Sequence, residues 1–147
     1  MKIAMGCDHG ALDLKNALSA HLQKLGHEIL DFGTHSFESC DYTDFAAAAA
    51  RSVAKGECQR GIVLCTTGIG VSIAANKVKG IRCALLSDPL TARMTREHND
   101  TNMMALGAGL VGTRMAFEIA EIWLGTPFSE EPRHQKRIDK LMALENE

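Results

Sequence analysis

The chain has 147 residues, 46% of them hydrophobic and 23% charged, with a formal net charge of -2. That length suits one domain with a core large enough to fold without staples, so residues 1–147 are read as a single domain. The near-neutral balance excludes a general attraction to nucleic acid or an anionic membrane, so any anion must be held by a local site.

The apolar pattern alternates between short runs and helical stripes. Residues 2–7 are a first strand, followed by Asp8, His9 and Gly10. Ala11, Leu14, Leu18, Leu22 and Leu25 recur every three or four positions, the stripe of an amphipathic helix that Gly26 closes. Residues 27–33 form a second strand. Thr43 is a suitable N-cap for an alanine-rich helix reaching Lys55. Residues 61–65 are a third strand and 71–78 a short helix. Residues 81–87 are a fourth strand, with a helix from about Pro89 to Glu97. Residues 102–107 are a fifth strand. Ala116, Ile119, Ala120 and Trp123 stripe the next helix, and Ile138, Leu141, Met142 and Leu144 stripe a last one over about 133–145.

Continuous apolar strands separated by helices predict an α/β fold: a three-layer, doubly wound, Rossmann-like sandwich around a five-stranded parallel sheet. Ligands of such folds bind beyond the carboxyl ends of the strands, where strand order reverses. No apolar run approaches the ~18–20 residues of a membrane span. Asp8 and His9 interrupt the N-terminal run too early for a signal peptide. Cys7, Cys40, Cys58, Cys65 and Cys83 are odd in number and lack CxxC spacing, and the six histidines lack HxxxH. A reduced, cytoplasmic protein without metal or cofactor is expected.

The chemistry collects at predicted strand ends. The third strand delivers Cys65, then Thr66, Thr67, Gly68, Ile69 and Gly70 at a helix N-terminus. Glycines there let backbone amides approach a ligand, and the helix start favours negative charge. Thr66, Thr67 and Ser72 add hydroxyls to that anion loop. The plain alternative is a tight βα turn. A dinucleotide fingerprint is a poor match, because Ile73 stands where its third glycine belongs. Cys65 is either a core residue or a thiol whose thiolate the helix start stabilises, suited to act as base or nucleophile. Asp8 and His9 end the first strand, and His98 and Asn99 close the helix after the fourth. An acid, an imidazole, a thiol and the loop are expected to converge at one sheet edge. Arg133 and Arg137 share a helix face, and cations in a first helical turn are better placed with an anionic ligand near them.

"GCDHGALDLK", "DFGTH", "DY", "CTTGIGVSIAANKVKGIR", "REHNDTNMMALG", "IWLGTPF" and "RHQKR" together resemble the ribose-5-phosphate isomerase B family, which includes the subunits of galactose-6-phosphate isomerase. The resemblance spans nearly the whole chain. It implies an aldose–ketose isomerase with Cys65 as the proton-abstracting base, His98 opening the sugar ring and Thr67 in the catalytic loop. Sugar contacts fall on Asp8, His9, Tyr42 and Asn99. The loop from Thr66 through Gly68, Ile69 and Gly70, with Ser72, holds the enediolate oxygen, and Arg133, His134 and Arg137 reach the phosphate. It also implies a homodimer, with a tetramer as a further possibility, whose active site lies between subunits, the last helix packing on the partner. Ribose 5-phosphate is the first substrate implied. Thr66, Thr43, Gly109 and "EEPRH" depart from the family pattern and leave open an allose- or galactose-6-phosphate type of substrate. A sugar-phosphate or nucleotide-binding module without catalysis is the remaining alternative.

Overall fold

A computed structural model describes residues 1–147. Five parallel strands make one sheet: β1 (Lys2–Cys7), β2 (Glu28–Asp31), β3 (Arg60–Cys65), β4 (Cys83–Leu85) and β5 (Met103–Gly107). Their order is β2-β1-β3-β5-β4. The predicted α/β sandwich is therefore present, with five helices connecting and covering the strands.

Strand side chains alternate between two cores, as the pleat requires. Ile3, Met5, Ile62, Leu64, Met104 and Leu106 pack with α1 (Leu12–Lys24) and α5 (Thr113–Gly125). Ala4, Val63, Cys65, Met103 and Ala105 pack with α2 (Tyr42–Ala54) and α3 (Ile69–Asn76). Small residues at 46, 49 and 50 bring α2 close to the sheet, where the Phe45 carbonyl lies over Gly6. On the other face Trp123 is fully buried, and its Nε1 donates to Thr101 Oγ1 at 2.9 Å.

Several boundaries differ from those the pattern predicts. β2 ends at Asp31 rather than residue 33, because Asp31 Oδ1 accepts from the Gly33 amide at 2.8 Å and turns the chain. β4 is only three residues long and lies at the sheet edge. α2 begins at Tyr42 with Asp41 before it, so Thr43 is inside the helix and caps nothing. α3 begins at Ile69, two residues early, because Gly68 at φ +76° turns the loop directly into the helix. α4 (Pro89–Asn99) extends past Glu97, and Asp88 caps its start by accepting from the Thr91 amide.

The chain passes from β3 to the edge at β4, then returns as β5 between them. Strand order reverses between β1 and β3, and the carboxyl ends of those two strands flank the switch point. α6 (Pro132–Ala143) lies outside this sandwich and rests on α4.

Candidate active site

At the switch point β3 delivers Cys65, only 6% exposed, beneath the first turn of α3. The Gly68 amide donates to Cys65 Sγ at 3.1 Å, so the sulfur faces a backbone N–H rather than only aliphatic neighbours. That hydrogen bond and the positive end of α3 set an N–H donor and partial positive charge against the sulfur. The α3 N-terminus has no side-chain cap. Thr67 Oγ1 accepts from the Ile69 amide at 3.3 Å, leaving the Gly70 amide among the first-turn donors the helix itself does not use. Ser72 does not supply the free hydroxyl expected of it, because its Oγ donates to the Ile69 carbonyl at 2.8 Å.

The loop is held in place by β5 and its continuation. Cys65 pairs with Gly107, and the carbonyls of Cys65 and Thr66 accept from the amides of Ala108 and Gly109, both at 2.8 Å. With those carbonyls tied back, the loop can present amides to a ligand. Tyr42, at the start of α2, lays its phenol over Gly70; a methyl built there would come within 2.7 Å of the ring. The Gly70 position therefore forms the seat of the Tyr42 ring.

From β1 come Asp8 and His9. Asp8 is buried, and its Oδ1 accepts from the Gly10 amide at 3.0 Å, capping the short turn His9–Ala11. His9 Nδ1 accepts from the Cys40 amide at 3.2 Å, which leaves Nε2 as the proton-bearing nitrogen of the neutral ring. Cys40 Sγ also lies 3.7 Å from His9 Nδ1, and no local signal marks Cys40, because its partner is 31 positions away.

Two other thiols, Cys7 and Cys83, are held protonated by their surroundings. Burial pushes the Cys7 thiol up to about 11, with the charges of Asp31 and Asp8 adding to the effect and Lys15 opposing it. It pushes Cys83 up to about 12. Behind Cys7, fully buried Lys15 pairs with Asp31 Oδ2 at 2.5 Å. This ion pair anchors the Asp31–Gly33 turn beneath the site, and the Thr34 amide then donates to the Cys7 carbonyl at 3.1 Å.

His98 does not join this group within one chain, contrary to the expected convergence at one edge. α4 starts beyond the carboxyl end of β4 and runs back along the sheet, so its last turn reaches the opposite edge. There Arg82, just before β4, donates from Nε to the Asn99 carbonyl, and the Gly61 amide donates to the Asn102 carbonyl. Gly61 and Cys65 stand four residues apart on β3, which puts roughly 13 Å of strand between the two edges.

A second constellation therefore forms around α4 and α6. His98 and Asn99 line a cavity of about 380 Å³ with His134 and Arg137. The His98 and His134 rings lie 4.3 Å apart between centroids. His134 is buried, with Nδ1 at 2.9 Å from Ser129 Oγ, so it backs His98 rather than opening to solvent. Arg137 is exposed, and Arg133 is exposed with Nε at 2.7 Å from Glu131 Oε2. Arg96 and Arg82 clamp this corner: Arg96 Nη1 donates to Asp100 Oδ1 at 2.8 Å and Arg82 Nη2 to the Asp100 carbonyl at 2.7 Å.

A thiol beneath a backbone amide, beside an uncapped helix start at the switch point of a parallel sheet, marks an α/β protein with a candidate site for a small anion. Comparison with known proteins makes that class specific. The ribose/galactose isomerase family model matches residues 3–141. Ribose-5-phosphate isomerase B of Escherichia coli is 46% identical over 144 residues, 98% of this chain and 96% of that protein. Galactose-6-phosphate isomerase subunit LacB of Clostridium acetobutylicum is 40% identical over 97% of this chain and 84% of its own length. The structure of Clostridium thermocellum ribose-5-phosphate isomerase B superposes with a TM-score of 0.97 at 49% identity, covering 99% of this chain and 98% of that one. The chain belongs to the ribose/galactose isomerase family, whose members are sugar-phosphate isomerases. No helix is long and apolar enough to cross a membrane.

Proposed function

We propose that this chain, acting as one isomerase domain, interconverts ribose 5-phosphate and ribulose 5-phosphate, and that two copies build each active site. The observation that carries the reading is Cys65 Sγ beneath the Gly68 amide at the sheet's switch point. The Cys65 thiolate takes the C2 proton of the open-chain aldose and returns it to C1, while the O2 hydroxyl proton passes to O1. Atoms and charge balance without an external oxidant. Amides of the Thr66–Gly70 loop, with Thr67 among them, hold the enediolate oxygen, where preorganised donors give their largest effect. Asp8, His9 through its Nε2–H, and Tyr42 hold sugar hydroxyls.

His98, Asn99, Arg133 and Arg137 come from the second copy. His98 passes the proton that opens the ring, Asn99 meets a sugar hydroxyl, and the arginines bind phosphate, for which their planar forks are suited. The separation of the two constellations within one chain supports this arrangement. A two-fold dimer supplies each thiol half with the partner's imidazole half, making two complete sites. Exposed apolar side chains beside both halves support it further: Ile69 and Ile73 on α3, Leu90 and Met94 on α4, and Leu141 and Leu144 at the chain's end. The protein is expected to work in the cytoplasm, where its thiols stay reduced.

Subunit complementation tests the reading. Cys65→Ala and Arg137→Ala homodimers are each expected to lose most of their ribose 5-phosphate turnover. Hybrid dimers made by co-refolding contain one intact site, so an equal mixture should regain up to about a quarter of the wild-type rate. A monomer in sedimentation, or confirmed hybrids without recovered turnover, would overturn the shared site. Unimpaired Cys65→Ala would overturn the thiol base.

A further inference from the structure

Thr66 follows the thiol at the carboxyl end of β3. Its surroundings are unusual. A methyl built on Gly10 would fall 2.3 Å from Thr66 Oγ1, and one built on Gly109 would fall 3.1 Å from Thr66 Cγ2. The Thr66 side chain, exposed on its outer side, thus lies between the turn after β1 and the loop after β5, against two residues without side chains. Its backbone is fixed by the 2.8 Å hydrogen bond from the Gly109 amide. A β-branched residue so placed has few rotamers to escape into. Gly10, which Thr66 touches, also lines a cavity of about 300 Å³ with His9, Phe37, Ala108 and Gly112 among others.

On the isomerase reading, a sugar spanning from Cys65 to His9 crosses Thr66, the residue that follows the thiol and touches Gly10. We infer that Thr66, wedged between Gly10 and Gly109, gauges the length of the sugar: it admits an aldopentose phosphate and turns away an aldohexose phosphate, one hydroxymethylene longer. The inference rests on the isomerase reading and adds the substrate class to it. One carbon unit in a shaped pocket is worth about 10–200-fold in selectivity.

The test measures kcat/KM for ribose 5-phosphate and allose 6-phosphate. Wild type should prefer the pentose, and Thr66→Gly should lower that preference at least tenfold. Thr66→Val, which keeps the volume and loses the hydroxyl, should hold the preference within about threefold. Thr66→Ala serves should glycine loosen the loop, with an expected drop of at least threefold. The contact itself is tested by Gly10→Ala, whose methyl must displace Thr66. It should lower kcat/KM for ribose 5-phosphate at least tenfold, and Gly10→Ala/Thr66→Gly should recover most of that loss. An unchanged preference in both Thr66→Gly and Thr66→Ala, or no recovery in the double variant, overturns the inference. Failure of folded wild type on every aldose phosphate would instead remove the isomerase reading, and the inference with it.

Discussion

Gly68 and Gly80 share a left-handed backbone, at φ +76° and +85°, but differ in what surrounds them. A β-carbon at Gly68 would lie 2.8 Å from the Leu106 carbonyl carbon, 2.9 Å from the Gly107 nitrogen and 2.6 Å from Leu85 Cδ1. At Gly80 it would meet nothing within 4 Å. Alanine in the left-handed region costs about 1–2 kcal/mol from its own Cβ, and Gly80→Ala should cost no more than that. Gly68→Ala adds an overlap with the backbone of β5, an interior strand of the sheet, which cannot swing aside as a side chain does. Overpacking of that kind adds about 1–3 kcal/mol. The expected losses are therefore about 1–2 kcal/mol for Gly80→Ala and about 2–5 kcal/mol for Gly68→Ala, with each kcal/mol lowering Tm by roughly 2–4 °C in a chain of this size. Thermal and urea unfolding followed by circular dichroism measure both. Gly68→Ala should also lose turnover that Gly80→Ala retains, because the Gly68 amide holds Cys65 Sγ. Equal Tm losses in the two variants would refute the steric argument and return Gly68 to the status of an ordinary turn residue.

The buried Lys15–Asp31 pair should respond asymmetrically. Lys15 is fully buried whereas the Asp31 side chain is 28% exposed. Asp31→Asn strands an ammonium in the core and should cost about 3–5 kcal/mol in urea unfolding, while Lys15→Met leaves a carboxylate that water can reach and should cost less. The reverse order would contradict the burial argument. Native protein treated with iodoacetamide at pH 8 should leave Cys7 and Cys83 unmodified by peptide mass spectrometry, because burial holds their thiols near 11 and 12, and unfolding should expose both. Burial, with the N-terminal ammonium 3.4 Å from Nδ1, lowers the His27 pKa below its ordinary 6.5. The unfolded chain takes up that proton first as pH falls through about 6.5, so stability drops with acidification from there until the folded ring also titrates. Tm measured from pH 7.5 down to 5.5 should therefore fall less steeply in His27→Gln than in wild type, and identical slopes would count against it.

Local signals were enough for the class of fold and for one half of the site. Apolar runs of strand length alternating with stripes at helical spacing are properties of neighbouring residues, so the parallel α/β plan was legible without any contact being known. The thiol, the glycines and the helix start are contiguous at 65–70, and a βα junction brings them together in almost any sheet order. Cys40 and Lys15 were not legible: one meets His9 from 31 positions away, and the other looks like a lone polar residue on a buried stripe until its partner 16 positions away is seen.

Residue order alone determined the α/β sandwich, its strand and helix succession, and the placing of Cys65 beneath an amide-lined helix start. Tertiary packing decided which strands are neighbours, and it brought His98 and Asn99 at the end of α4 against His134 and Arg137 of α6. It also decided that Thr66 stands between Gly10 and Gly109, more than forty residues away on either side. The physical reason is range: periodicity and turn chemistry act over a few residues, whereas the order of strands and the fit of a side chain between distant residues depend on how whole layers bury their apolar faces together.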